Sequence, residues 1–148
     1  MTVDSNRDPL VRRHLRAAWL GLLVFLSAGL ALETLHGFKV GFYLDVDHST
    51  RRLMWRLAHA HGTLITLLQL AFAVSLPLIG SDAKGLALAS RCLLGALVLM
   101  PLGFLLGGIW IHRGDPGLGV LLVPPGGLLL FLGVLLTWRA SRADAPKP

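Results

Sequence analysis

The stretch RRLMWRLAHAHGTLITLLQL, Arg51–Leu70, opens with three arginines in six residues, sets two histidines among leucines, and then runs on without a charge. The uncharged run extends from Leu57 to Gly80. A hydrocarbon core ~30 Å thick is crossed by about 20 helical residues, so this run predicts a membrane span. Three more runs match it. Ala17–Leu32 is uncharged and reaches His36 if Glu33 is allowed inside; Cys92–His112 follows Arg91; Pro116–Trp138 is the last. All four are apolar nearly all round, the pattern of helices bathed in lipid. A β-barrel strand would alternate over ~10 residues, and LGLLVFLSAGLAL (Leu20–Leu32) shows no alternation.

The expected fold is therefore all-α. One integral membrane domain of four transmembrane helices covers residues 1–148, an up-down bundle with spans near 16–37, 55–79, 87–111 and 118–138 and disordered tails at 1–8 and 141–148. Composition agrees: 54% of the residues are hydrophobic, 15% are charged, and the mean hydropathy is +0.67, too apolar for an ordinary soluble domain. Trp19, Trp55, Trp110 and Trp138 each fall at a span end, where amphipathic rings suit the headgroup layer. A basic stretch, an apolar stretch and then Ser27, Ala28 and Gly29 resemble a signal peptide, but the apolar run continues past any such cleavage point.

Lys and Arg set the orientation. The side holding the N-terminus carries Arg7, Arg12, Arg13, Arg16, Lys84, Arg91, Arg139, Arg142 and Lys147; the other carries Lys39, Arg51, Arg52, Arg56 and Arg113. Nine against five places both termini in the cytoplasm and predicts a bacterial inner membrane protein. The net charge of +6 flanks the spans, where it meets anionic headgroups. No basic stripe is interleaved with stacking aromatics, so nucleic acid is excluded as a partner. The single cysteine, Cys92, excludes an internal disulfide and reads as a small buried filler.

That topology collects imidazoles. His36, His48, His59, His61 and His112 all fall on the periplasmic side with Glu33, Asp45, Asp47 and Asp115, while His14 stands alone on the other. Glu33 and His36 are three apart and share a helix flank. His59 and His61 are about 200° apart around a helix, so they serve opposite faces. One stripe of that helix carries Arg52, Arg56, His59, Thr63 and Thr66. The other carries Leu53, Leu57, His61, Leu64 and Leu68. Lipid penalises the polar stripe, which should face the protein interior or a wet cleft.

Glu33, His36, His59 and His112 are therefore the candidate metal ligands. A nitrogen-rich set with one carboxylate suits zinc, iron or copper. His61 and His36 are the candidate ligands of haem b. The competing reading gives each histidine an interfacial or hydrogen-bonding role and pairs Glu33 with Lys39 or Arg52. Asp45 and Asp47 read as turn and capping residues.

Two further signals concern packing. Gly103 and Gly107 form GxxxG, extended by Gly108; small residues at this spacing let helices approach closely, within the bundle or between copies in a homo-oligomer. Pro124 and Pro125 in VPPGGLL (Val123–Leu129) cannot donate to carbonyls four residues earlier, which predicts a kink or a break in the fourth span. In HRGDPGLG the Asp115–Pro116 pair predicts a type I turn.

Size and four spans resemble the small multidrug resistance family, whose working carboxylate lies well inside the first helix; Glu33 stands near the far end, so that function is not carried over. AHAHG, Ala58–Gly62, resembles the His-x-His segments of small membrane proteins related to haem-copper oxidase subunits, over five residues only. The chain's expected role is redox or metal handling at the periplasmic face. An accessory subunit of a membrane complex, and a small ion- or proton-coupled transporter, are the alternatives.

Overall fold

A computed structural model of the chain describes residues 9–44, 49–79 and 85–143. The described residues form α1 (Pro9–Gly37), a single turn α2 (Gly41–Leu44), α3 (Ser49–Ile79), α4 (Leu86–Ile109), a 3-10 turn at Leu118–Leu122, and α5 (Val123–Ala143). Four helical segments are long and apolar enough to cross a membrane: α1, α3, α4, and the 3-10 turn with α5. The chain has the character of an integral membrane protein.

The helices pack in a series: α1 lies on α3, α3 on α4, and α4 on α5. Gly21 meets Thr66 and Gly29 meets His59; Trp55 donates to the Leu105 carbonyl while Gln69 donates to that of Leu93; Gly103 meets Val123 and Gly133 meets Leu93. α1 is the most exposed of the three long helices from Pro9 to Ile109, burying only His14, Ala18 and Gly21.

Two apolar clusters hold the array. Phe72, Leu76, Leu86, Leu93 and Ala140 gather at one end; Met54, Ala58, Ile65, Met100 and Phe104 gather at the other. The glycine motif is spent inside the chain. A Cβ on Gly103 would meet Val123, one on Gly107 would approach Val120, and one on Gly108 would meet Trp55 and Met54.

Helix ends depart from the sequence reading in ways local chemistry explains. α1 begins at Pro9, a residue suited to a first turn because it lacks only an N–H that would be unbonded there; Arg12, Arg13 and Arg16 ride on that extension. α1 closes with Lys39 at φ 53°, Val40 N–H donating to Leu35 and Lys39 N–H to His36, the pattern of a Schellman cap with lysine in the usual glycine position. Pro124 and Pro125 do not break a running helix. They occupy the first turn of α5, after the 3-10 turn. α5 continues through Ser141, Arg142 and Ala143, where a disordered tail was expected. The connection after α4 turns earlier than the Asp-Pro pair suggests: His112 and Asp115 exchange backbone bonds around Arg113 (φ 53°) and Gly114 (φ 88°). Positive φ at both central residues marks a type I′ hairpin turn. Asp45, Asp47, His48 and the tails 1–8 and 144–148 lie outside the described residues.

Candidate functional site

The end of α1, the start of α3 and the end of α4 meet at one end of the molecule. Arg51 donates to the carbonyls of Phe42 and Gly108, and Thr50 donates to that of Gly114. Between α1 and α3 at this end lies a cavity of about 930 Å³. Glu33, His36, Arg52, Arg56 and His59 line it, over an apolar floor of Leu26, Leu30, Leu53 and Leu57. The polar stripe of α3 does face a cleft, and Glu33, His36 and His59 share it.

Within the cleft these side chains form a ladder. Gly29 faces His59, where a Cβ would fall 2.6 Å from the ring's Cε1. From that level Glu33 lies about 6 Å and His36 about 10 Å further along α1, while Arg56 lies about 4.5 Å and Arg52 about 10 Å back along α3. Glu33 is thus level with Arg56, and His36 with Arg52. The levels of His36 and His59 are about 10 Å apart, whereas ligands to one ion sit about 2 Å from it.

Among the described residues, no three His, Cys, Asp or Glu side chains form a group able to hold a metal ion. His112 sits at the same end but on the exposed hairpin turn, and it does not line the cleft. His61 faces away, its ring 4.8 Å from that of Phe104 on α4. Glu33 makes no ion pair with Lys39 or Arg52, and Arg56 has no hydrogen-bond or ion-pair partner among the described residues.

The state of His59 follows from its neighbour. Its Nδ1 lies 2.8 Å from the Phe25 carbonyl oxygen. A carbonyl only accepts, so Nδ1 carries a hydrogen, and in the neutral ring Nε2 keeps the lone pair. His61 is fixed in the same way by the Leu57 carbonyl, 3.0 Å from its Nδ1.

One residue set is absent from the sequence reading. His14, set apart there as the lone histidine on its side, is 0% exposed, as are Gln69 and Ser90. The Gln69 amide nitrogen donates to the Leu93 carbonyl at 2.8 Å, which turns Oε1 toward His14. Nδ1 of His14 therefore donates to Gln69 Oε1, and the Ser90 hydroxyl, 2.8 Å away, donates to Nε2. Phe72 packs edge-on against the same ring at 4.5 Å between centroids. The signal in the sequence was Gln69, an amide inside an otherwise apolar run and in register with Thr66.

Comparison with protein-family models, with curated proteins and with solved structures gives no match for this chain.

Proposed function

We propose that this chain is an inner-membrane binding protein, both termini cytoplasmic, whose α1–α3 cleft faces the periplasm and takes an amphiphile with an acidic head. One observation carries the reading. Among the described residues, two arginines, one of them without a partner, face a cleft with an apolar floor and outnumber its one carboxylate. An acidic head would meet Arg52 and Arg56 through charge-assisted hydrogen bonds, and an apolar body would lie along Leu26, Leu30, Leu53 and Leu57. The uneven Lys and Arg distribution supports the orientation.

A second reading is favoured by His59. An imidazole whose Nδ1–H is fixed on a carbonyl presents Nε2 as a ligand, the usual arrangement at metal centres. Haem b, with acidic propionates and a flat apolar ring, would use His59 as its one protein ligand and the arginines for its propionates.

Native mass spectrometry and absorbance of the detergent-purified protein test both. A retained anionic amphiphile is expected, with affinity falling about tenfold or more in Arg52→Gln/Arg56→Gln, since charge-assisted bonds contribute about 1.5–3 kcal/mol and 1.4 kcal/mol is a factor of ten. Glu33→Gln is expected to tighten binding by removing the opposing charge. A Soret band lost in His59→Ala identifies the occupant as haem. Protein that retains neither, and takes up neither on titration, contradicts the cleft as a binding site.

A further inference from the structure

The first turns of α1, at the end of that helix away from the cleft, carry Arg12, Arg13 and Arg16. By helical spacing the three fan over about 100° of the helix circumference. His14, Ala18 and Gly21, the residues that α1 buries, lie on the opposite side. The arginines therefore face away from the bundle, and all three are exposed. With Pro9 they surround an open cavity of about 560 Å³.

For the chain alone this placement is unfavourable. Arg12 and Arg16 stand four residues apart, where like charges repel. The start of a helix carries the positive end of its dipole, which disfavours cations and favours anions. The first turn of α1 holds no acidic residue to offset this. Among the described residues none of the three arginines has a hydrogen-bond or ion-pair partner. Asp4, Arg7 and Asp8 lie outside the described residues. With those counted, residues 1–16 hold four arginines against two aspartates, so two positive side-chain charges remain in excess.

The surface below the arginines is apolar. Trp19, Leu20 and Leu23 follow on the same flank, all exposed, within about 10 Å of helix rise from Arg16. Tryptophan suits the headgroup layer, which sets the arginines among headgroups and the leucines among acyl chains. Guanidinium groups hold phosphate through paired N–H···O bonds. A second copy of the chain fits this face poorly. Two copies inserted in the same sense and meeting here would set three arginines against three, and such like-charge contact is strongly unfavourable.

We propose that this face of α1 is a site for one diphosphate phospholipid. Its phosphate oxygens accept from Arg12, Arg13 and Arg16, and its acyl chains lie along Leu20 and Leu23. The arginines spread over about 6 Å of rise, which suits two phosphates better than one. A head with a single charge leaves one of the two excess charges unmet and binds less tightly. The site is independent of the α1–α3 cleft, since Glu33 lies about 25 Å further along the helix than Arg16.

The test counts lipids on the delipidated full chain by native mass spectrometry during titration with cardiolipin, phosphatidylglycerol or phosphatidylcholine, whose heads are doubly charged, singly charged and neutral. One cardiolipin should bind most tightly, phosphatidylglycerol more weakly, and phosphatidylcholine without saturation. Arg12→Gln/Arg13→Gln/Arg16→Gln should weaken the cardiolipin step about a hundredfold, from a gain of about fivefold for each arginine beside anionic lipid. Lysine at the same three positions should retain most of the binding. Added salt should weaken binding to the wild type and leave the glutamine variant nearly unchanged, a response that a merely misfolded variant does not explain. Loss of the step in Arg52→Gln/Arg56→Gln instead would assign the lipid to the cleft, overturning this inference and sparing that reading. Cardiolipin and phosphatidylcholine binding alike, the glutamine variant binding like wild type, or a lipid-free dimer abolished by that variant would each overturn it.

Discussion

Replacing His14 with alanine is expected to cost about 3 kcal/mol of stability. The ring is wholly buried and bonded at both nitrogens. Its removal leaves Gln69 Oε1 and Ser90 Oγ without their partner, and an unsatisfied buried group costs roughly 1–3 kcal/mol. In a membrane the cost falls toward the low end of that range, because the unfolded chain also finds partners. The cavity beside Phe72 adds a further term of about 1 kcal/mol or more. His14 is also one of only three residues that α1 buries, so the loss should appear as detachment of α1 from α3. Unfolding by denaturing detergent in mixed micelles reads the change. Arg13→Ala, at an exposed neighbouring position, should stay within about 0.5 kcal/mol of wild type.

The second large effect is expected at Gly119. A Cβ there would fall 2.3 Å from the Leu106 Cβ and 2.9 Å from the Gly107 backbone nitrogen. Neither is the far end of a flexible side chain, so Gly119→Ala can be accommodated only by parting the 3-10 turn from α4. Overpacking of this kind costs about 1–3 kcal/mol and more where backbone must move; a loss of about 3 kcal/mol is expected. Gly127→Ala is the matching control. Gly127 lies in α5 with nothing within 4 Å of an added Cβ, and alanine is favoured over glycine in a helix by about 1 kcal/mol. Gly127→Ala should therefore be neutral or stabilising. The two should move apparent stability in opposite directions in the same unfolding assay.

The four spans were legible because apolar run length alone decides them. Glu33, His36 and His59 were legible as neighbours because helical spacing and the alternation of spans place them at one end. Three features were not. The His14 network joins positions 55 and 76 residues apart, and a lone histidine in a basic segment looks interfacial until its partners are known. The distance between the levels of His36 and His59 depends on how far α1 slides along α3, which Gly29 and Gly62 set through His59 and Phe25. The role of Pro124 and Pro125 depended on where α5 begins. Residue spacing gives the face of a helix, whereas the offset between two helices comes from which small residue meets which ring.

Cross-linking tests the shared cleft most directly. In a Cys92→Ala background, which removes the only native cysteine, Glu33→Cys and Arg56→Cys are introduced together and treated with a short bismaleimide in native membranes. Near-complete intramolecular linkage of 33 to 56 is expected, since both positions lie at one level of the α1–α3 cleft. Failure to link, under conditions that join a Gly95→Cys/Leu129→Cys pair across α4 and α5, would contradict the cleft and everything built on it.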